Sequence, residues 1–471
     1  MKLTHWIDGC SHEPHSGEYF ESLNPASMEV VATVASGDAF DVDLAVSAAS
    51  RATIAWREVG PFERGRILGA IAKTMRDSVD HLVDLECAET AKPPATAFAE
   101  IHGSADYFEF YAGLVHVPNG EVIDLGPEYH SYTRREPFGV VGIITPWNVP
   151  LNQAARASAP ALAAGNAVVI KPSEFTSATT IELARIATSL GLPNGVFNVV
   201  LGNGLSAGQP LVSHPLVRKV AFTGSITAGQ AIGRIAAEKI MPLTLELGGK
   251  SASIVFADGD LEAAALGTLR GFTTNAGQVC SASTRLLVQR DVHDEVVAIL
   301  SDAAKLIMPG RDIGPLTTAD QFAKVNEFLD NARNERVETV VGGTVADRTG
   351  RSGWFVPPTV YTGIVPSSEM AQREVFGPVL VVIPFDSEDE AIRIANDTEY
   401  GLVAGVWTRD IARGLRVADA MEAGQVFVNT WTTGAVQTPF GGYKKSGYGR
   451  EKGLEALHHY SQLKSVTIAK S

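Results

Sequence analysis

The chain has 471 residues, 45% of them apolar and 20% charged, which is enough apolar material for several buried cores and excludes a disordered or fibrous protein. Asp and Glu total 53 against 39 Lys and Arg, and this net charge of −14 argues against nucleic acid or an anionic membrane as a partner. Three cysteines, Cys10, Cys87 and Cys280, are too few and too scattered for a disulfide framework or a zinc site. We therefore expect a soluble, cytoplasmic chain without a bound metal.

Targeting and membrane signals are not evident in the sequence. Asp8 comes before any apolar stretch that could form a secretory signal. The least polar stretch, residues 157–170, contains Pro160 and Gly165 and is too short to cross a bilayer. We therefore expect no membrane association.

The first third of the chain has helical periodicity. Apolar residues recur at three- and four-residue steps from Ile67 to Leu82, which predicts an apolar helix face. A second helix is predicted from about Phe98 to Tyr111, and its aromatic side chains include Tyr107. We favour packing of these rings in the core over contact with a substrate.

From Ser131 onward, short β-branched runs alternate with helical stretches, which predicts parallel sheets covered by helices on both faces. In a first unit, the predicted buried strands are 140–144, 167–170, 196–200 and 217–222. In a second unit, after Glu246, they are 253–256, 286–289, 379–383, 403–407 and 426–428. The predicted fold class is α/β, with two doubly wound units and a ligand cleft between them.

Cys280 is the first candidate for chemistry. A lone cysteine is most often a small buried hydrophobe, but the polar, glycine-containing flanks of this one, residues 275–281, are unlike a core strand. A nucleophilic thiolate at this position requires a base or a positive dipole close by.

Two polar residues could serve such a nucleophile. Glu246 ends an apolar strand just before Gly248 and Gly249, where a carboxylate is costly unless it is functional or forms an ion pair, for instance with Lys250. Asn148 follows a predicted strand, where its amide could stabilise an oxyanion or simply form a turn. The residues alone leave these alternatives open.

Glycine-containing turns follow two of the predicted strands. Gly204 comes after one of them, and Gly224, Ser225 and Gly229 come after the next. Such turns offer backbone N–H groups to a pyrophosphate, although neither has the usual dinucleotide fingerprint and a plain strand-to-helix turn is the alternative.

Taken together, these segments resemble the aldehyde dehydrogenase superfamily, in order from about Trp6 to Val466. The matching segments are Pro146-Trp147-Asn148, Lys171-Pro172-Ser173-Glu174, Phe222-Thr223-Gly224-Ser225, Glu246-Leu247-Gly248-Gly249-Lys250, Gly277-Gln278-Val279-Cys280, Glu374-Val375-Phe376-Gly377-Pro378 and Pro439-Phe440-Gly441-Gly442. Each segment alone is modest evidence, but their common order is highly specific.

The resemblance implies a reaction at Cys280. Its thiolate attacks an aldehyde carbonyl, and the Asn148 amide and the Cys280 N–H hold the oxyanion. Hydride transfer to a nicotinamide leaves a thioester, which water activated by Glu246 hydrolyses to the carboxylic acid. The CoA-acylating branch of the superfamily lacks this glutamate, so its presence predicts hydrolysis.

The resemblance also implies how the cofactor, NAD or NADP, is held. Gly224 and Ser225 lie at the pyrophosphate, and Lys171 and Glu174 bind the adenine ribose. A carboxylate at Glu174 favours NAD, because it accepts from a free 2′-hydroxyl and repels a 2′-phosphate. The expected cofactor residues are Trp147, Lys171, Ser173, Glu174, Gly204, Phe222, Gly224, Ser225, Gly229, Leu247, Glu374 and Phe376.

The implied substrate pocket departs from that of the aliphatic and retinal-type enzymes. Its expected residues are Val149, Asn152, Arg156, Thr274, Val279, Ser281, Trp431 and Gly434. Succinate-semialdehyde dehydrogenases also carry an arginine at the position of Arg156, where it meets the substrate carboxylate, but their second arginine is Thr274 here. Arg156 is therefore a carboxylate ligand or half of a structural ion pair. Glu451 is similarly a proton-relay residue or half of a surface ion pair.

The resemblance divides the chain into an NAD-binding domain (1–117 and 138–248), a catalytic domain (249–460) and an oligomerisation element (118–137 and 461–471). Edge strands in that element invite pairing with a second subunit, and the family implies homodimers or homotetramers. The alternatives are a semialdehyde dehydrogenase that uses Arg156 and a non-catalytic structural relative. The joint presence of Cys280, Glu246 and Asn148 argues against the second.

Overall fold

The first sheet is built largely from the N-terminal half of the chain. The structure, a computed structural model, describes residues 1–117, 119–345, 353–431 and 435–470. Across these ranges the first sheet has eight strands, in spatial order Gly447–Tyr448, Leu243–Glu246, Val217–Thr223, Val140–Ile144, Ala167–Lys171, Phe197–Val199, His5–Ile7 and Cys10–His12. The strands from Leu243–Glu246 to Phe197–Val199 are parallel. Their continuous β-branched runs are buried because helices cover the sheet.

Helices of the N-terminal half account for most of this cover. They are Ala39–Glu58, Pro61–Asp77, Val79–Thr90, Pro94–Leu114, Pro150–Ala163, Ala178–Ser189, Gln209–Ser213 and Ile226–Lys239, with a π-helical turn at Gly204–Gly208. The apolar repeat from Ile67 to Leu82 is divided at Ser78, which ends one helix and begins the next. Both ends of the repeat are nevertheless buried in one core.

The second sheet belongs to the C-terminal half. Its seven strands among the described residues are, in spatial order, Glu338–Val341, Thr359–Thr362, Val379–Phe385, Ser283–Gln289, Ser251–Val255, Val403–Trp407 and Gln425–Val428. All neighbouring pairs except the first are parallel. The helices of this half are Leu261–Thr273, His293–Lys305, Ala319–Asn334, Glu369–Gln372, Glu388–Asn396, Ile411–Ala420 and Gly453–His459, with 3₁₀ turns at Thr274–Gly277 and Arg290–Val292. The predicted α/β class with two parallel sheets is confirmed.

Smaller sheets complete the fold. One contains Lys2–Leu3, Val30–Ala35 and Tyr19–Leu23, and another pairs Tyr400–Gly401 with Tyr443–Lys444. A third, which we name the arm sheet, consists of Val122–Ile123, Tyr129–Pro137 and Ser461–Ala469. Its two long strands pair antiparallel along their whole length, from Ser461 opposite Pro137 to Ala469 opposite Tyr129. The two segments of the predicted oligomerisation element, 118–137 and 461–471, therefore contribute the two long strands of a single sheet.

The carboxyl ends of the first sheet meet the amino ends of the second. Glu246 ends a first-sheet strand, and Ser251 begins a second-sheet strand after a short connection. Within that connection, the Gly249 N–H donates to the Glu374 carboxylate at 2.9 Å. Ligands of open α/β sheets gather at the carboxyl ends of the strands, so this junction is the expected place for a site.

The proposed domain division remains a prediction. Gly447–Tyr448 lies in the segment assigned from sequence to the catalytic domain, yet it pairs with Leu243–Glu246 in the first sheet.

Within the described ranges, every helix is too short or too polar to cross a membrane.

Candidate active site

Cys280 lies where two cavities adjoin. The inner cavity, of about 190 Å³, is lined by Cys280 together with Trp147, Glu246 and Phe376. The outer cavity, of about 700 Å³, is also lined by Cys280 and opens on its other side. Asn148 likewise lines both. The thiol therefore lies at the junction of a narrow and a wide space.

A left-handed turn places Cys280 at this junction. Asn275, Ala276 and Gly277 have φ angles of 50°, 53° and 74°, which is unfavourable for alanine. Gly277 is required by space as well, because a Cβ there would lie 2.1 Å from the Gly377 carbonyl oxygen. Strain of this kind persists only where the surrounding structure enforces it, and it is concentrated at functional sites.

Asn148 is held from several sides so that one amide N–H remains free. Its Nδ2 donates to the Gln278 carbonyl at 2.8 Å, and a side-chain amide carries two such hydrogens. Its backbone carbonyl accepts from Asn275 Nδ2 at 2.8 Å and from Lys92 Nζ at 3.0 Å. The remaining N–H is available to an oxygen bound near Cys280.

Glu246 is buried, and neither carboxylate oxygen has a hydrogen-bond partner within the described residues. Burial raises the pKa of Glu246 well above its ordinary value, and the nearby Glu451 carboxylate raises it further. The alternative of an ion pair with Lys250 is wrong, because no ion pair joins these side chains in the described ranges. A buried carboxylate without a partner requires an explanation, and contact with a bound water or substrate provides one.

The surroundings of the Cys280 thiol favour its protonated form. Burial raises its pKa to about 11, and the Arg156 guanidinium acts in the opposite direction. The Glu246 carboxylate adds to the rise. Sγ must therefore lose its proton before it can attack a carbonyl carbon.

Arg156 and Glu451 form a buried ion pair, Nε to Oε2, with side-chain exposures of 5% and 2%. The Arg156 guanidinium also lies over the Phe440 ring, 5.2 Å from its centroid. The expectation of a surface ion pair for Glu451 is wrong, because the helix that carries Arg156 is covered on all sides. Of the two alternatives for Arg156, the structure contains the ion pair.

The inner cavity has an aromatic wall. Trp147 meets the Phe376 ring edge-on, with centroids 5.5 Å apart. Phe376 has a φ angle of 57°, unusual for a bulky residue, and its carbonyl accepts from Gln321 Nε2 at 2.9 Å. Glu374 accepts from the Gly249 N–H and lines the same cavity.

A long groove of about 1020 Å³ joins the inner cavity at Ser225, which lines both. Ser225 is the N-cap of the helix Ile226–Lys239, and its Oγ accepts from the Ala228 N–H at 3.2 Å. A helix N-terminus attracts anions, here between an apolar groove and a smaller aromatic cavity. Adenosine, pyrophosphate and nicotinamide of a dinucleotide fit this sequence of surfaces.

The structure distributes the remaining cofactor candidates unevenly. Gly204 and Phe222 line the groove, while Gly224 and Leu247 line the inner cavity. Gly229 instead allows close packing, since a Cβ there would lie 2.8 Å from the Leu247 side chain.

Lys171, Ser173 and Glu174 are not among the described residues that line the groove. Lys171 Nζ pairs with Glu174 at 3.3 Å, and a Cβ at the groove residue Gly208 would lie 3.7 Å from Lys171 Cδ. The lysine and its carboxylate partner are thus placed at the margin of the groove.

Comparison with known proteins identifies the family. Residues 12–466 match the family model described as "Aldehyde dehydrogenase family". The chain belongs to the aldehyde dehydrogenase family. The reaction class predicted from sequence, oxidation of an aldehyde, is confirmed by this membership.

Individual relatives are similar over almost their whole length. A betaine aldehyde dehydrogenase from Sinorhizobium fredii is 40% identical, covering 99% of this chain and 97% of that protein. An NAD-dependent aldehyde dehydrogenase from Sinorhizobium meliloti has a TM-score of 0.97 at 39% identity, covering 100% of this chain and 95% of that one. A betaine aldehyde dehydrogenase point mutant from Staphylococcus aureus, in complex with NAD⁺ and with a BME-modified cysteine, has a TM-score of 0.97 at 38% identity, covering 99% and 96%.

In this aldehyde dehydrogenase, most of the expected pocket residues line the outer cavity. These are Val149, Asn152, Arg156, Thr274, Val279 and Ser281. Trp431 instead packs in a hydrophobic core beside the second sheet, where its indole lies close to Gly271 and Gly405. Gly434 lies outside the described residues.

Sequence reasoning missed several residues of the aldehyde dehydrogenase site. Tyr107 packs in the same core as Phe108 and Tyr111, as expected, but it also lines the outer cavity, which the sequence did not predict. Lys452 lines the same cavity, and Gln321 lines the inner one. The sequence signal for Lys452 was weak: a lysine next to Glu451.

Proposed function

We propose that this aldehyde dehydrogenase oxidises an aldehyde to its carboxylic acid with NAD⁺, through a covalent intermediate on Cys280. The observation that carries the proposal is the position of Cys280, which lines both the inner cavity, next to the dinucleotide groove, and the open outer cavity. A thiol at this junction can meet an aldehyde from one side while a nicotinamide occupies the other. The BME-modified cysteine of the Staphylococcus aureus relative supports a reactive thiol in this family.

NAD⁺ fits the residues that the chain offers. The N-terminus of the helix Ile226–Lys239, with Ser225 and Gly224, would hold the pyrophosphate, and Glu374 with Phe376 and Trp147 would hold the nicotinamide riboside. When bound, NAD⁺ supplies the hydride acceptor. The Lys171–Glu174 pair at the margin of the groove favours a free ribose hydroxyl, which is the reason to prefer NAD⁺ over NADP⁺.

Acylation begins when the Cys280 thiol releases its proton to the solvent of the open outer cavity and Sγ forms a bond to the carbonyl carbon. The carbonyl oxygen gains negative charge, and hydrogen bonds from the free Asn148 N–H and the Cys280 backbone N–H would stabilise it. Arg156 favours the thiolate electrostatically. The same carbon then gives up hydride, which bound NAD⁺ would accept, and the oxyanion becomes a carbonyl again, so that a thioester remains on Sγ.

Hydrolysis then requires a base. The unpaired Glu246 carboxylate takes a proton from water, the hydroxide adds to the thioester carbon, and the carbon–sulfur bond breaks. The carboxylic acid leaves, and the Cys280 thiolate takes up the proton from Glu246, which restores both the thiol and the carboxylate. The absence of hydrogen-bond partners for Glu246 among the described residues supports this role, because a structural carboxylate would be neutralised.

We further propose that the enzyme assembles as a homodimer or homotetramer through the arm sheet and acts in the cytoplasm. The arm carries exposed apolar side chains, among them Val122 and Leu463, which a second copy would cover. The three cysteines are unpaired, which fits a reducing compartment.

Glu246→Gln tests the reaction most directly. This variant is expected to release one equivalent of NADH per active site in a fast burst and then stall, because the thioester forms but water is not activated. Stopped-flow absorbance at 340 nm and intact-mass detection of the acylated protein measure the two parts. Glu327→Gln, an exposed carboxylate on the helix Ala319–Asn334, is the matched control and should keep steady turnover.

Cys280→Ser should lose both the burst and the turnover. Undiminished steady turnover in Glu246→Gln would remove Glu246 from the role of base. A full burst in Cys280→Ser would contradict the covalent mechanism itself.

A further inference from the structure

The charged side chains of the outer cavity are neutralised with one exception. Among the described lining residues, Glu100 forms an ion pair with Lys92, and Arg156 forms one with Glu451. Asp106, at the rim, pairs with Arg76 at 2.7 Å. Lys452 has no ion pair within the described ranges. The outer cavity therefore contains one positive charge without an ion-pair partner in the described ranges, although the Glu246 and Glu451 carboxylates act on it at longer range.

Aromatic rings fix the position of the Lys452 ammonium. Its Nζ lies 5.1 Å from the centroid of Phe440 and 6.0 Å from that of Tyr107. Both rings line the outer cavity. Burial lowers the pKa of Lys452 to about 8, so the side chain is mostly charged at neutral pH. This half-buried cation lies against two rings and has no ion-pair partner in the described ranges, so it is available to an anion that enters the cavity.

The backbone at Lys452 is strained in a way that a surface lysine would not need. Its φ of 60° and ψ of 172° fall in a region that belongs almost wholly to glycine. The neighbouring residue enforces this geometry, because the Gly453 N–H donates to the Val436 carbonyl at 2.8 Å and the Gly453 carbonyl accepts from Tyr111 at 3.0 Å. A lysine in a position suited to glycine points to a use for its side chain.

We propose that Lys452 is a specificity-determining residue that binds the anionic group of the substrate, so that the preferred aldehyde carries a carboxylate remote from its carbonyl. This inference rests on the proposed function, since it names the substrate class of the same site. The carboxylate forms a charge-assisted hydrogen bond with the ammonium, and the aldehyde end reaches Cys280 in the same cavity. Tyr107 and Phe440 form the apolar wall beside the chain of the substrate.

The same arrangement works against a cationic aldehyde. Betaine aldehyde carries a quaternary ammonium group, and proteins recognise such groups with the faces of aromatic rings. Here Phe440 already has Lys452 and Arg156 at 5.1 and 5.2 Å from its centroid. A quaternary ammonium in this cavity would meet a positive charge that has no ion-pair partner in the described ranges. The chain therefore differs in substrate class from the relatives that are named betaine aldehyde dehydrogenases.

The test compares kcat/KM for succinate semialdehyde, butanal and betaine aldehyde in the wild type and in Lys452→Gly, Lys452→Gln and Lys452→Arg. The readout is kcat/KM for succinate semialdehyde divided by kcat/KM for butanal. Any effect of a substitution on the reactivity of Cys280 changes both values equally and cancels in this ratio. Loss of one charge-assisted hydrogen bond should lower this ratio about 10- to 100-fold in the glycine and glutamine variants. Lys452→Arg should retain most of the ratio, and betaine aldehyde should gain in the uncharged variants.

Two controls separate the possible failures. Lys452→Gly should unfold at an unchanged or higher temperature, because glycine adopts this backbone geometry without strain, so a folding defect is not expected. Lys305→Gln, an exposed lysine that pairs with Asp302, removes the same charge elsewhere and should leave the ratio unchanged.

An unchanged ratio in the Lys452 variants, with oxidation intact, would overturn the role of Lys452 alone. Wild-type preference for betaine aldehyde over succinate semialdehyde would do the same. Failure to oxidise any of the three aldehydes would instead count against the proposed function.

Discussion

At the scale of single residues, three buried charges determine how the site handles protons. Glu246 lacks a hydrogen-bond partner among the described residues, while Arg156 is neutralised by Glu451. Glu451 therefore acts on Glu246 in two ways: it repels the second carboxylate, and it reduces the positive charge that Arg156 would offer. The consequence is a base that holds its proton to higher pH than an ordinary glutamate.

Glu451→Gln should shift the pH dependence of thioester hydrolysis to lower pH. Glu246 acts as a base only when deprotonated, so hydrolysis increases as pH rises through its raised pKa. Removing the like charge lowers that pKa, and the acidic limb should move down by about one pH unit. Single-turnover decay of the acylated enzyme between pH 5 and 9 measures the limb.

Glu455→Gln, an exposed carboxylate that pairs with His458 on the helix Gly453–His459, is the control and should leave the limb in place. Glu451→Gln also leaves Arg156 buried without its partner, which should reduce the free energy of unfolding by about 3–5 kcal/mol, so the assays belong well below the lowered Tm. An unchanged limb, or one shifted to higher pH, would contradict the coupling.

At the scale of structural elements, side chains from distant segments hold the loops that carry the site. Gln321, on the helix Ala319–Asn334, donates from Nε2 to the carbonyls of Val375 at 2.8 Å and Phe376 at 2.9 Å. These bonds hold Phe376 in its left-handed conformation against Trp147. The helix thus determines the shape of the inner cavity without belonging to any of its motifs.

Gln321→Ala should raise KM for NAD⁺ more than it changes kcat. Two hydrogen bonds at about 1 kcal/mol each correspond to roughly a 30-fold loss of affinity if the Phe376 loop relaxes in the free enzyme. Gln372→Ala is the matched control, since Gln372 also donates to two carbonyls, those of Pro366 at 2.7 Å and Asp397 at 2.8 Å, away from the inner cavity. Titration of NAD⁺ by quenching of protein fluorescence measures the affinity, and equal effects of the two substitutions would refute the positioning role.

The sequence allowed the strands and motifs to be predicted because they leave local signals. Buried parallel strands are continuous β-branched runs, and the motifs of Asn148, Glu246 and Cys280 follow or precede such runs directly. Tyr107, Gln321 and Lys452 leave no such signal. Whether a ring on an apolar helix faces the core or a cavity depends on tertiary packing, and the φ angle of Lys452 depends on contacts of the residue that follows it.

At the scale of the whole molecule, the site exists because the carboxyl ends of the first sheet's strands meet the amino ends of the second sheet's strands. First-sheet carboxyl ends supply Asn148 and Glu246, and second-sheet amino ends supply Cys280 and Phe376. In a parallel sheet, the loops that follow the strands all lie at the carboxyl ends of the strands. Because these ends face the amino ends of the second sheet, the phosphate-binding loops of the first sheet lie next to the nucleophile carried by the second. The arm sheet lies outside this arrangement and makes no contribution to the described lining of the cavities.

The arm sheet should be the surface through which two copies associate. Leu463 and Ile468 are 60% and 50% exposed on its long C-terminal strand, and they lie on opposite faces because their positions differ in parity along the strand. Replacing both, in Leu463→Asp/Ile468→Asp, should convert the assembly to a smaller species, because buried carboxylates would oppose burial of either face. Light scattering coupled to size-exclusion chromatography measures the mass of the assembly.

Leu306→Asp is the control, because Leu306 is 73% exposed and lies outside the arm sheet, and it should leave the mass unchanged. A monomeric wild type, or an unaltered mass in the double variant with its native circular dichroism, would show that the arm does not join subunits.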